Sequence, residues 1–307
     1  MDVIIIVMNL ILIGYLLKYL KLLKESDRIA LNNIVVYITM PATIFLTIMT
    51  KVSPSDLFEF LKLPFAIILT DLICGVLSYF VGKSFLKLDN KSLGGFILVC
   101  MLGNTGFLGY PIAYGFYGDD GLARAIFCDM GGVFATMLFG TYVGIKFGKN
   151  SGNILKEFLR FPPLITGIFT IILIFFGIKL NNFPSFIIKT LEYLSSATIP
   201  LIMLSLGLSL SPSAAKFGVF YGILASLFRF GVSPVAAYSL SDIFLINGLE
   251  KKILVIESAM PSALMTLVLS TLYELDVKLV ASCCFITTAL SLGIIPIVYS
   301  LVEILLI

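Results

Sequence analysis

The stretch GNTGFLGYPIAYGFYGDDG, residues 103–121, breaks into one of the most apolar parts of the chain. It follows the run GGFILVCML, residues 94–102, so it begins where a membrane helix would be in mid-span. Glycine costs about 1 kcal/mol in a helix interior, and proline removes a backbone donor and clashes with the carbonyl four residues earlier. The stretch therefore predicts a helix that is interrupted inside the membrane.

The composition around this stretch is that of an integral membrane protein. Of 307 residues, 59% are hydrophobic and 13% charged, and the mean hydropathy is +1.07. The apolar runs are about 20 residues long and do not alternate, which indicates helices rather than the strands of a barrel. The first run, residues 3–17, has full span length and no basic segment before it, so we expect it to remain as the first helix. The predicted class is an all-α polytopic protein in the lipid bilayer.

Ten transmembrane spans are predicted from apolar runs bounded by charges or by glycine, proline and asparagine clusters. They lie near residues 3–23, 31–50, 62–83, 92–117, 122–146, 160–179, 184–210, 214–240, 251–273 and 277–303. Thirteen lysines and arginines fall in the loops on one side and seven in those on the other, with Arg229 inside a span. Cytoplasmic loops retain such residues, so both termini are predicted on the non-cytoplasmic side of the cell membrane.

The basic segment KFGKNSGNILKEFLR, residues 146–160, follows the fifth span and divides the chain nearly in half. Because five is an odd number, the second half, residues 148–307, runs through the membrane in the opposite sense to residues 1–147. An inverted repeat of five plus five helices is the predicted organisation.

Matching irregularities in the two halves support the repeat. Prolines lie inside span two (Pro41) and span seven (Pro200), at an offset of 159 residues. At an offset of 158, Asp71 of span three corresponds to Arg229 of span eight. The same offset takes the asparagine of the opening stretch to a serine beside a proline in span nine.

The interruptions predict a binding site, because irregular backbone at membrane depth is tolerated only beside a cavity or within protein. The ends of half-helices present N–H groups with a partial charge of about +0.5, which attract an anion. In span four, side chains would add donors, glycines (Gly103, Gly106 and Gly109) would allow close approach, and Pro111 would fix the break. Alternatively, the glycines only let helices pack closely and the proline only kinks the span. The candidate substrate-binding residues are Asn104, Thr105, Gly106, Tyr110, Pro111, Pro261 and Ser262.

Ionisable residues inside spans are the other candidates, since each costs about 2.5–3.5 kcal/mol at the bilayer centre. They are Asp71, Asp129, Arg229 and Glu257. Asp71 and Arg229 either form a structural pair or leave Arg229 to attract an anionic substrate. Asp129 and Glu257 are candidates for carrying a proton or binding a sodium ion.

Other functional classes lack their signatures. The five cysteines lie in apolar spans without a CxxC motif, and there is no histidine, so neither disulfides nor a metal site is expected. No Walker loop or nucleophile elbow occurs, which excludes ATP-driven transport and hydrolysis as leading hypotheses and implies no cofactor. The net charge of +3 resides in short loops and does not indicate nucleic-acid binding.

Two motifs resemble the auxin efflux carrier family, which includes the plant PIN-type carriers and many prokaryotic transporters. They are GNTGFLGYPI, residues 103–112, with the downstream YGFYG, and SAMPSA, residues 258–263. The resemblance implies ten helices in two inverted repeats, with helices four and nine crossing at prolines. It further implies a scaffold of helices one, two, six and seven, a transport domain of helices three to five and eight to ten, and a homodimer through the scaffold.

By the same resemblance, Asn104 would help to hold the substrate carboxylate, and Pro111 and Pro261 would be the crossing prolines. Plant carriers have a second polar residue and another proline after the ninth-helix proline, where this chain has Ser262 and Thr266, so auxin itself is not the expected substrate. The long cytoplasmic loop of many plant members is replaced by residues 146–160.

The predicted function is that of a secondary transporter, not an enzyme, which moves a small organic anion such as a carboxylate by elevator-type alternating access. One alternative keeps the architecture and changes the cargo: a sodium-coupled symporter or a cation/proton antiporter. Another is a passive channel or membrane sensor. Uptake that saturates and depends on substrate separates a carrier from a channel.

Overall fold

The computed structural model describes residues 2–149, 160–210 and 218–306, with side chains from residue 5 onward. In these ranges the chain forms helices, turns and one isolated β-bridge. The predicted all-α class is therefore confirmed, whereas the inverted ten-helix repeat stays a prediction. Most of the predicted hinge, with its Lys156, lies outside the described residues, as does Lys216 of the predicted seventh loop.

The helices are numbered here in chain order. Their bounds are α1 Asp2–Tyr19, α2 Arg28–Ile34, α3 Met40–Lys51, α4 Leu57–Phe80, α5 Asn90–Met101, α6 Tyr110–Ala135, α7 Thr141–Phe147, α8 Pro162–Phe175, α9 Ser185–Ser196, α10 Thr198–Ser209, α11 Val219–Leu227, α12 Ser233–Ile243, α13 Gly248–Ser258, α14 Met265–Leu272 and α15 Val277–Leu305. Five-residue π turns adjoin several of them, at Val35–Thr39, Val81–Phe85, Thr105–Gly109, Thr136–Gly140 and Phe228–Val232. Short 3₁₀ turns occur at Glu25–Asp27 and Leu180–Asn182.

Six helical segments within the described ranges are long and apolar enough to cross a membrane. They are Glu25–Lys51, Leu57–Phe85, Thr105–Phe147, Ser185–Ser209, Val219–Ile243 and Val277–Leu305, and shorter apolar helices occupy Ile5–Tyr19, Asn90–Met101 and Pro162–Phe175. A transmembrane helix needs about 20 predominantly apolar residues. The chain is thus a multi-pass integral membrane protein.

The long segment from Thr105 to Phe147 is not one straight rod. At Gly118 the backbone has φ +61° and ψ −151°, a conformation that glycine adopts without a steric penalty. Gly121 packs against the carbonyl of Ala113, which is eight residues earlier and would lie about 12 Å away along a continuous helix. The chain therefore reverses at Gly118, between the predicted fourth and fifth spans.

Packing divides the described chain into two compact units. The first contains residues 2–61, 106–130 and 160–210, and the second contains residues 62–105, 131–149 and 218–306. In the first unit α1 packs along α10 at very short range. A methyl group on Gly14 would overlap the carbonyl of Leu204, and one on Gly207 would overlap the carbonyl of Ile11. These glycines let the two helix backbones touch.

Gly207→Ala is expected to lower the free energy of unfolding by about 1–3 kcal/mol, because the added methyl group meets backbone atoms that no rotamer change can move. The matched control is Gly293→Ala in α15, where no described atom lies within 4 Å of the new methyl group. There alanine is expected to stabilise the helix by about 0.5–1 kcal/mol. Thermal unfolding of the purified proteins in detergent measures both, and equal effects would contradict the close packing of α1 on α10.

In the second unit α5 is buried among α7, α11 and α15. Its start is set by Asp89, whose carboxylate accepts hydrogen bonds from the hydroxyl and N–H of Ser92 and from the N–H of Lys91. These bonds hold the pKa of Asp89 below its ordinary value. Two apolar clusters surround the rest of α5, one around Phe96 and Cys100 and the other around Met101. The residues that lead into the interruption are therefore fixed on all sides.

Candidate functional site

Two helices of the second unit are interrupted at a shared position. Helix α5 ends at Met101, Leu102 is extended with φ −91° and ψ 121°, and the chain becomes helical again at Thr105. Helix α13 ends at Ser258, and α14 begins at Met265. The glycine and proline content of both segments accounts for the loss of helix. The interruptions lie where the sequence predicts them, in the fourth and ninth predicted spans.

The two interruptions pair with each other as a short antiparallel bridge between Gly103 and Ser262. The N–H of Asn104 donates to the carbonyl of Pro261 at 2.8 Å, and the N–H of Ala263 donates to the carbonyl of Leu102 at 2.9 Å. This differs from the expectation that the freed peptide groups face a pocket. Unpaired peptide groups are costly in a buried environment, so the two breaks satisfy each other's peptide groups first.

Ser262 is used in the same way. Its N–H donates to the hydroxyl of Thr287 at 3.2 Å, and its own hydroxyl donates to the carbonyl of Val99 at 2.7 Å. Ser262 is fully buried. Both of its polar groups therefore hold the crossing together, and the sequence prediction that Ser262 offers its hydroxyl to substrate receives no support from these bonds.

Arg229 is the central residue of the crossing and lies on the π turn between α11 and α12. Its Nε donates to the carbonyl of Met260 at 2.9 Å, Nη1 to Met101 at 2.8 Å and Nη2 to Ser258 at 2.9 Å. The last four carbonyls of any helix have no partner within it. A single, fully buried guanidinium thus donates hydrogen bonds to carbonyls at the ends of both α5 and α13.

Asp71 of α4 supplies the counter-charge. Its Oδ1 lies 3.7 Å from Nη1 of Arg229, and its side chain is 5% exposed. Of the two sequence alternatives for Arg229, the structure has the ion pair with Asp71. The guanidinium is engaged by three carbonyls and a carboxylate, so it is a structural cation rather than an open anion attractor.

Gly103 is glycine because of Arg229. A methyl group at this position would overlap Nη2 of the guanidinium. The sequence predicts that Gly103 allows close approach of a substrate. In the structure it allows close approach of the Arg229 side chain. Ser233 adds a second donor to the same region, since its hydroxyl donates to the carbonyl of Ser258 at 2.8 Å.

Asn104 follows the bridge and precedes the helix that begins at Thr105. Its side chain is 6% exposed, and its Nδ2 has no hydrogen-bond partner among the described residues. A buried amide without a partner costs about 1–3 kcal/mol. Buried polar groups are almost always hydrogen-bonded, so an acceptor on a bound molecule would complete the bonding of this amide. Thr105 is equally buried, and its hydroxyl lies against Gly132.

In the first unit, Gly106, Tyr110 and Asp129 come together. The phenol of Tyr110 donates to Oδ2 of Asp129 at 3.1 Å, and the Asp129 carboxylate lies beside Gly106. Tyr110 is buried, whereas Asp129 is partly exposed. Glu257, in the second unit, is fully buried in the last turn of α13.

Pro111 does not lie at the interruption. The break occupies residues 102–104, whereas Pro111 is the second residue of α6, directly after the π turn Thr105–Gly109. A π turn changes the hydrogen-bond spacing and accommodates a residue without an N–H, so the helix continues through the proline. Pro261, by contrast, lies inside the second interruption, where its carbonyl accepts the bond from Asn104.

Sequence reasoning missed the residues that complete the crossing, above all Thr287 and Ser233. The available signal was a hydroxyl residue facing inward from an otherwise apolar span, since Ser233 lies one turn after Arg229. Which broken backbone such a hydroxyl reaches depends on packing and not on spacing.

Comparison with known proteins identifies the family of the chain. A family model described as membrane transport protein matches residues 1–157 and 150–299. The chain is 64% identical over 296 residues to an uncharacterized transporter of Methanocaldococcus jannaschii, covering 96% of both chains. It is 35% identical over 300 residues to an uncharacterized transporter of Methanothermobacter thermautotrophicus, again covering 96% of both. The chain therefore belongs to the membrane transport protein family, in agreement with the resemblance of its two interrupted helices to the auxin efflux carriers.

Proposed function

We propose that this protein is a secondary carrier for a small organic anion, whose carboxylate is held by Asn104 at the start of the helix that begins at Thr105. The observation that carries the proposal is the buried Nδ2 of Asn104, which has no acceptor among the described residues. A carboxylate supplies such an acceptor, and a bond from an amide to a charged group is stronger than one between neutral groups.

The helix start supports the same ligand. The first N–H groups of a helix have no partner within it, and the helix dipole places a partial positive charge there. Helix starts at membrane depth bind the anionic groups of substrates in other carriers. The bridging peptide groups of Asn104 and Ala263 are already paired, so the anion contacts the side chain of Asn104 and the first turn rather than the bridge itself.

The remaining features of the proposal follow from the resemblance to the auxin efflux carriers. The carrier lies in the cell membrane as a homodimer, with both termini outside the cytoplasm. In elevator-type alternating access, predicted spans three to five and eight to ten move against predicted spans one, two, six and seven. A sodium-coupled symporter or cation/proton antiporter is the competing function, favoured by the carboxylate of Asp129 beside the Tyr110 hydroxyl.

A thermal-shift screen of the purified protein tests the ligand class. Acetate, succinate and phenylacetate represent a mono-, a di- and an aryl carboxylate, and their amides are the matched neutral controls. A ligand that binds only the folded protein stabilises it by about 2.7 kcal/mol at 100 times its Kd. We expect at least one carboxylate, and none of the amides, to raise the melting temperature.

Counterflow in proteoliposomes then separates a carrier from its alternatives. The stabilising carboxylate, labelled on the outside, is expected to accumulate transiently when unlabelled carboxylate is inside. Exchange of sodium for protons without movement of any carboxylate would refute the proposal and establish the antiporter.

A further inference from the structure

A carboxylate of the protein packs on the first turn of the helix that begins at Thr105. A methyl group built on Gly106 would lie 3.0 Å from Oδ1 and 3.1 Å from Oδ2 of Asp129. Gly106 is in the first turn of the helix that begins at Thr105. The carboxylate therefore packs directly on the backbone of that turn, in space that any other residue at position 106 would fill.

Tyr110 fixes the carboxylate in this position. Its hydroxyl donates to Oδ2 at 3.1 Å, and Tyr110 follows Gly106 by one helical turn. The carboxylate of Asp129 thus packs against Gly106 in the first turn and accepts a hydrogen bond from Tyr110 one turn later. The side chain of Asp129 is partly exposed rather than fully buried.

A negative charge at the start of a helix is favourable, and a second one beside the first is not. An ionised Asp129 offsets the partial positive charge of the first turn and repels a substrate carboxylate. A protonated Asp129 is neutral, so the first turn becomes available to the substrate. The two carboxylates are alternatives for one electrostatic position.

The elements packed around Asp129 carry both charged and uncharged titratable groups. Its neighbour Met130 contacts Gly167 of α8, a helix without a titratable side chain, and Phe127 contacts Phe60 of α4. The titratable groups of these elements are Tyr110, Tyr114 and Tyr117 on the preceding helix, Asp119, Asp120, Arg124 and Cys128 on its own helix, and Glu59, Lys62, Asp71, Cys74 and Tyr79 on α4. Asp120 lies 3.4 Å from Lys51, Arg124 stacks over Phe60, and Asp71 pairs with Arg229.

From this geometry we infer that Asp129 is the coupling residue of the carrier: it takes up one proton for each substrate carboxylate that binds at the helix start. The inference rests on the proposed function and adds to it the class of transport, a proton-coupled anion symport. Coupling is reciprocal, so substrate must strengthen proton binding as much as protons strengthen substrate binding.

The test measures affinity and proton uptake together. The most stabilising of acetate, succinate and phenylacetate is titrated into the purified full-length protein from about pH 6 to about pH 8, where an ordinary carboxylate is ionised. For the wild type, affinity is expected to fall by up to about tenfold per pH unit, and about one proton is taken up per anion bound. For Asp129→Asn, which mimics the protonated form, affinity is expected to be high, independent of pH and without proton uptake.

Asp119→Asn is the matched control, since Asp119 is an exposed carboxyl on the same helix, and it is expected to behave as the wild type. Asp129→Glu keeps a titratable group and is expected to keep a pH slope. The proton count on the wild type needs no variant, so it decides the question even where Asp129→Asn does not fold.

Four results would overturn the inference. A wild type that binds a carboxylate with no pH slope and no proton uptake leaves the anion carrier standing and removes the coupling role of Asp129. An Asp129→Asn protein whose affinity depends on pH as in the wild type has the same consequence. So does a carboxylate affinity that depends on sodium instead of pH. A folded wild type that binds no carboxylate at any pH refutes the proposed function and the inference together.

Discussion

Arg229→Leu is expected to leave almost no folded protein in detergent extracts. The substitution removes the donors to three buried carbonyls, at Met101, Ser258 and Met260, and strands the buried charge of Asp71. The carbonyl of Ser258 keeps the hydroxyl of Ser233, so the loss falls on the carbonyls of Met101 and Met260 at about 1–3 kcal/mol each, and the uncompensated charge adds about 3–5 kcal/mol. Together these costs approach the whole stability of an ordinary protein, about 5–15 kcal/mol. Size-exclusion chromatography and thermal unfolding measure the loss.

The double variant Arg229→Leu, Asp71→Asn separates the two roles of the guanidinium. Removing the stranded charge is expected to restore part of the stability, because the bonds from the guanidinium to the carbonyls of Met101 and Met260 are still missing. Arg160→Leu, at an exposed arginine, is the control for loss of a cation and is expected to have little effect. Full recovery in the double variant would mean that Arg229 is only the charge partner of Asp71 and does not hold the crossing.

Asn104→Ala is expected to weaken carboxylate binding by about 10- to 150-fold while the protein stays folded. A hydrogen bond to a charged group contributes about 1.5–3 kcal/mol, which sets this range. The Nδ2 has no partner among the described residues, so its removal takes away no known internal bond and relieves a buried polar group. Thermal stability without ligand is therefore expected to be unchanged or higher. Titration of the best carboxylate and the ligand-free melting temperature are the two measurements.

The matched control is Asn90→Ala, an exposed asparagine at the start of α5, which is expected to change neither quantity. Loss of binding together with a fall in ligand-free stability would assign Asn104 to the fold. Unchanged affinity and uptake in Asn104→Ala would place the substrate elsewhere.

The helical class and both interruptions could be predicted because they depend on local chemistry. Glycine, asparagine and proline disfavour the helical conformation wherever they lie. Residues 103–121 and the segment around Pro261 therefore predict a helix break without any tertiary information. The family resemblance added the pairing of the fourth and ninth helices. The close pair of Asp71 and Arg229 was among the alternatives, since an ion inside a membrane needs a partner.

The use made of the broken backbone could not be predicted in this way. The sequence suggests that the freed peptide groups face a ligand. In the structure the N–H groups of Asn104 and Ala263 instead donate to carbonyls of the opposite interruption. That outcome depends on two segments about 158 residues apart meeting in one register. Pro111 was predicted to fix the break, and the π turn before it, which has no clear signal in residue types, lets the helix pass through. The contact of Asp129 with Gly106 likewise depends on how two helices pack.

The bridge between Gly103 and Ser262 ties the lengths of the two interruptions together. In extended backbone successive side chains point in opposite directions, so a slip of one residue reverses every orientation. An insertion or deletion of a single residue on either side would turn the amide of Asn104 away from its present direction and bring a side chain against the guanidinium in place of Gly103. Change in one broken segment can therefore persist only with a compensating change in the other, and the two distant halves of the gene are constrained to evolve as a matched pair.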